Sequence, residues 1–161
     1  MKTAHVQIRL TPAEKALLLR RARAAGQSLS AFVLDRALPR AGLAFEGILG
    51  ALRRERDRVH ALAALHDLLE GLGPDEFAEA LPEPDLSTLP PVVRNQVAAM
   101  IEHAAAGKGI RPPSWTAGVA PLESPWFAAP LRGLRAHLLR SSPAAFRGRN
   151  LFVDAAAGDR A

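Results

Sequence analysis

The chain has no cysteine among its 161 residues. That excludes disulfides, thiolate metal sites and cysteine nucleophiles, and it suits a reducing cytoplasm, the expected location. No run approaches the ~18 apolar residues of a membrane span, and the start "MKTAHVQIRL" lacks the apolar stretch of a signal peptide. Enzyme signatures are missing as well. His60 and His66 stand six residues apart, about 240° around a helix, so they do not face one metal ion. His103 and His137 have no carboxylate or histidine at ligand spacing, and Asp154 and Asp159 form no acid–base pair. "GKG" at 107–109 lacks the preceding glycine and following Ser or Thr of a phosphate loop. The expectation is a protein without catalytic residues, metal or cofactor. One further absence is structural. "HVQIRL", His5 to Leu10, alternates polar and apolar residues at the period of a half-buried strand, yet nothing after it reads as a partner strand.

What is present is uneven. The net charge of +5 divides into +6 over residues 1–40, −6 over 41–90 and +5 over 91–161. The first block is therefore the one suited to a polyanion. In "TPAEKALLLRRARAAGQ", Thr11 and Glu14 form a capping box, Pro12 takes the first helical position, and Gly26 supplies a left-handed stop. This predicts a helix over 12–25. "SLSAFVLDRAL" predicts a second helix, capped by Ser28 or Ser30, with Leu29, Phe32, Val33, Ala37 and Leu38 on its apolar face and Pro39 beyond its end.

Apolar steps of three and four from Phe45 to Leu69 predict one long amphipathic helix over 43–70. They run through Ile48, Leu49, Leu52, Val59, Leu62 and Leu65, with "RRERDR" as a solvated charge run and Gly47 and Gly50 weakening the start. A short helix follows Gly73–Pro74, "PEPDLSTLPP" reads as a linker, and "VVRNQVAAMIEHAAAG" as a helix. Residues 110–130 hold five prolines and two tryptophans and read as an extended arm or an irregular loop, any order in it supplied by its aromatics. "LRGLRAHLLRS" and "SPAAFRGRN" read as short helices, and "LFVDA" as a short strand or extended end.

A lone strand carries unpaired backbone groups on both edges, and a second copy of the chain can satisfy one of them. Two copies of His5–Leu10 paired antiparallel form a ribbon. Val6, Ile8, Leu10, Leu17, Phe32 and Val33 then supply the core of an intertwined homodimer, and His5, Gln7 and Arg9 line the opposite face.

On these residues, "HVQIRLTPAEKALLLRRARAAGQSLSAFVLDRAL" resembles a ribbon-helix-helix DNA-binding domain of the Arc, MetJ and CopG type. "GQSLSAFVLDRAL" is similar to the TacA-like antitoxin branch. The resemblance covers residues 5–38. It implies a ribbon laid in the DNA major groove, with His5, Gln7 and Arg9 reading bases. It also implies a phosphate held at the start of the second helix by Ser28, Leu29 and Ser30. Lys2 and Arg21, with Arg20 and Arg23 nearby, suit further contacts to the DNA backbone.

The expected fold class is mostly α: a ribbon-helix-helix domain over 1–40, then a helical region with a Pro/Trp-rich arm over 41–161. The function implied is that of a type II antitoxin that represses its own operator and neutralises a toxin through its C-terminal region. Trp115, Trp126 and Phe127 would be the partner anchors; the alternative for each single ring is that it fills a small helical core of the chain itself. The alternatives are a transcriptional or plasmid copy-control repressor without a toxin, and an interaction protein whose ribbon only dimerises. The expected partners are operator DNA, a second copy and a cognate toxin, with no membrane.

Overall fold

The computed structural model describes residues 7–37, 40–129 and 131–154. The chain divides into two compact units, Met1–Pro39 and Arg40–Ala161.

In unit 1, α1 spans Pro12–Ala24 and α2 spans Leu29–Ala37. The predicted cap at α1 is formed on both sides. Glu14 N donates to Thr11 Oγ1 at 3.3 Å, and Thr11 N donates to Glu14 Oε2 at 2.8 Å. At the far end Gly26 has φ +65°, the left-handed region a Cβ disfavours. That turn lets Gln27 N reach Ala22 O and Gly26 N reach Arg23 O, satisfying carbonyls the helix leaves open. Ser28 then starts α2, its hydroxyl accepting from Ala31 N at 3.1 Å. Among the described residues of this unit only Ala22 and Phe32 are buried.

Unit 2 is helical apart from one two-stranded sheet among its described residues. The single helix expected over 43–70 is two helices, α3 at Arg40–Leu52 and α4 at Arg58–Gly71, joined through one 3₁₀ turn at Glu55–Asp57. The reason is angular. At 100° per residue, the buried set Phe45, Leu49 and Leu52 lies roughly 180° from the buried set Ala61, Leu65 and Leu69. A straight helix would turn one set to solvent, so the chain breaks in the charge run and packs α3 on α4. Arg58 Nε donates to the end carbonyl of α3, Leu52 O, at 3.2 Å, and Arg54 pairs with Asp57 at 2.5 Å across the turn. Val59, expected on the apolar face, is 78% exposed. Gly47 and Gly50 lie inside α3, which begins earlier than expected.

Helix α5 is Phe77–Ala80 and α6 is Pro91–Gly107. Leu86 and Leu89, in the segment read as a linker, are buried beside Val93, Val97 and Ile101 of α6. The arm is also part of the body. Ser114–Gly118 is a 3₁₀ helix, and β1, Trp126–Phe127, runs parallel to β2, Leu151–Phe152, in the register Trp126 to Leu151. Between them lie α7, Arg135–Ser141, and α8, Ala144–Arg147. No helix among the described residues is long and apolar enough to cross a membrane.

The arm's order has a source 30 residues away. Arg149 is 5% exposed and donates to Thr116 O at 2.7 Å, Val119 O at 2.9 Å and Asn95 Oδ1 at 3.3 Å. Glu102 of α6 takes its other two bonds, at 2.5 and 2.9 Å. Asn95 Nδ2 donates in turn to Ala120 O, and Asn150 Nδ2 to Leu122 O. Backbone carbonyls of a proline-rich segment, which have few partners within their own stretch, are thus satisfied by side chains from α6 and the turn before β2.

Candidate nucleic-acid interface

The candidate interface is built by unit 1. Lys2, His5 and Val6 lie outside the described residues. Gln7 and Arg9, two of the three expected base readers, are exposed. Residues 7–10 carry no regular secondary structure within the single chain. Ile8 is 60% exposed and Leu10 43%, so neither is core in one copy. Of the other expected core residues, Leu17 is 40% exposed, Val33 is half-buried and Phe32 is buried.

These residues belong to a continuous local architecture. The α1 cap fixes where the segment before the helix ends, because Thr11 commits its N–H to Glu14. The same bonds hold the Glu14 carboxyl below its ordinary range: first the Thr11 backbone N–H, then its hydroxyl, both favouring the anion. A groove between α1 and α2 is lined by Leu18, Ala25, Phe32 and Val33, with Arg21 and Arg36 at its edges. The Arg36 guanidinium lies 5.5 Å from the centre of the Phe32 ring. Arg20, Arg21 and Arg23 are all exposed on α1.

At the start of α2, Ser28 and Ser30 are exposed and Leu29 is half-buried. The Ser28 oxygen is occupied by Ala31 N, so what its side chain offers an anion is its O–H proton. The amides of Leu29 and Ser30 are at the first two helical positions, where no helical carbonyl precedes them.

The rings expected to anchor a partner are placed differently. Trp115 packs on Phe45 with ring centres 6.3 Å apart and donates Nε1–H to Leu81 O at 3.0 Å. Phe127 stacks on Phe152 at 5.0 Å beneath the Arg135 guanidinium. Trp126 is half-buried at the sheet. Two of the three expected anchors are therefore engaged inside unit 2, because a large ring contributes more to a small core than to a free arm. For Trp115 this is the alternative in which the ring fills a helical core, with its indole N–H on the carbonyl just beyond α5. No group of three or more metal-ligating side chains occurs among the described residues.

Residues 1–70 match the family model NikA-like, described as mobilization protein NikA. The match takes in unit 1, α3 and nearly all of α4, and ends before the sheet and the Arg149 network. No curated protein and no solved structure matches the chain significantly. The first 70 residues are thus similar to a mobilization protein family, and the remaining 91 are matched by nothing found.

Proposed function

We propose that the chain is a sequence-specific DNA-binding protein that serves in the mobilization of DNA, binding as a dimer through a ribbon-helix-helix built by unit 1. The similarity of residues 1–70 to the NikA-like family carries this reading. Two observations support it. Ile8, Leu10, Leu17 and Leu34 stay 40–60% exposed in a unit with two buried residues among those described, an apolar surface that a second copy would cover. Beside them Arg9, Arg20, Arg21 and Arg23 face solvent.

In the paired ribbon Val6, Ile8 and Leu10 rest on the α1–α2 groove, and His5, Gln7 and Arg9 point at base edges. Arg is suited to guanine O6 and N7, and Gln to adenine N6 and N7, each worth about 1–3 kcal/mol of discrimination. Arg21 and the α2 start hold phosphates, adding affinity that falls with salt. The toxin-neutralising role depended on a free arm in the C-terminal region. With Trp115 and Phe127 engaged in unit 2, nothing favours it over the mobilization role.

Selection of bound sequences from a random duplex pool tests the reading. The expected result is an enriched site with two-fold or repeated half-sites. Arg9→Ala should lose about 1–3 kcal/mol on that site and relax the choice at one or two base pairs. No enriched sequence, or an unchanged site for Arg9→Ala, would overturn it.

A further inference from the structure

Unit 2 has two unusual surfaces that adjoin. The first is the segment 131–140. Leu131, Leu134 and Leu139 are 66, 45 and 46% exposed, and Arg132, Arg135 and Arg140 between them are exposed too. Leu138, at 4%, is buried and pins the segment, which fixes the three leucines outward. The second is a groove of about 590 Å³ along α4 and α6. Its apolar lining is Leu62, Met100, Ala104 and Phe146. Its rim carries the carboxylates of Asp67, Glu70 and Asp154 against one ammonium, Lys108, with the imidazoles of His66 and His103 on its walls.

The segment is apolar and basic, and the groove is apolar and acidic on balance. Asp154 lines the groove, and His137 of the segment reaches it at 3.9 Å, so both belong to one surface. We infer that this surface is self-complementary and joins two copies of the chain, each copy's segment 131–140 seated in the other's groove. A two-fold axis beside the His137–Asp154 contact makes both contacts at once. Leucines fill the apolar lining between two helices, and arginines meet the acidic rim. The inference goes beyond the DNA-binding reading and does not depend on it. A unit 1 contact, if present, joins either the same two copies or a further pair.

Sedimentation equilibrium of the full chain carrying Ile8→Glu and Leu10→Glu, which removes any unit 1 contact, tests it through two charge reversals, Asp67→Arg with Glu70→Arg, and Arg132→Glu with Arg140→Glu. Each reversal alone should have half the mass of that parent, because like charges then face each other. An equimolar mixture of the two should regain the parent's mass, since both contacts in a mixed pair are again complementary. A misfolded variant cannot give that recovery. With unit 1 uncoupled, the outcome is the same whether or not the unit 1 reading holds. Equal masses for all three proteins, or no recovery on mixing, would overturn the inference. So would binding to phosphatidylglycerol vesicles that Arg132→Glu with Arg140→Glu abolishes without changing the mass.

Discussion

Arg149 is the side chain on which the C-terminal half of unit 2 depends most. Its five donors reach Glu102, Asn95 and two backbone carbonyls while the residue is 5% exposed. Arg149→Met keeps the approximate volume but leaves a half-buried carboxylate and three acceptors without a donor. It should cost about 3–5 kcal/mol in urea unfolding, and Arg149→Lys should recover little, because an ammonium cannot present a planar fork to Glu102. Nothing local announces this role. "SPAAFRGRN" reads only as a short helix, and the partners of Arg149 lie 30 to 54 residues away. Glu14 is the opposite case, legible from four residues. Its folded pKa is below the ordinary 4.5, so the cap contributes stability that is full above that value and lost as pH falls through the depressed one. Helicity followed by circular dichroism should therefore decline below about pH 4.5, and Glu14→Gln should remove that part of the titration.

At the scale of elements, the caps explain why α1 and α2 are read correctly and why α3 and α4 are not. Thr11, Glu14, Gly26 and Ser28 act within five residues and each forms the bond its type predicts, while Pro12 takes the position where no N–H is needed. The break between α3 and α4 has no glycine or proline to mark it. It is encoded only as a phase slip between two buried stripes, and Val59 and Leu62 bridge that slip when apolar residues are merely counted. The two readings differ in what they expect of one residue. Val59→Glu should change stability by less than about 0.5 kcal/mol, because the side chain is 78% exposed. Leu65→Ala, fully buried between α3 and α4, should cost about 2–5 kcal/mol. Thermal unfolding of both variants would decide, and a large loss for Val59→Glu would restore the continuous helix. The arm at 110–130 is largely irregular, as its prolines lead one to expect, but its packing is set from afar. Five prolines predict little internal hydrogen bonding, which is true, but the carbonyls they leave open are what Arg149, Asn95 and Asn150 bind.

At the scale of the whole molecule, the two units make different demands. Unit 2 buries a full core of its own, from Phe45 to Ala105. Among its described residues, unit 1 buries two side chains and leaves four large apolar ones open, the surface the proposed second copy would cover. The polar–apolar alternation over 5–10 fits the same reading, and the similarity to a mobilization family extends over those residues. The absence of cysteine makes the central claim directly testable, because an introduced thiol is the only one in the chain. In an antiparallel ribbon, facing side chains on one face lie about 5 Å apart, and diagonal neighbours about 7–8 Å. Gln7→Cys, treated at micromolar concentration with a short bis-maleimide, should convert to a covalent dimer nearly completely, while Ser87→Cys under the same conditions should not. A Gln7→Cys chain that remains monomeric on a denaturing gel would contradict the ribbon, and with it the proposed mode of reading DNA.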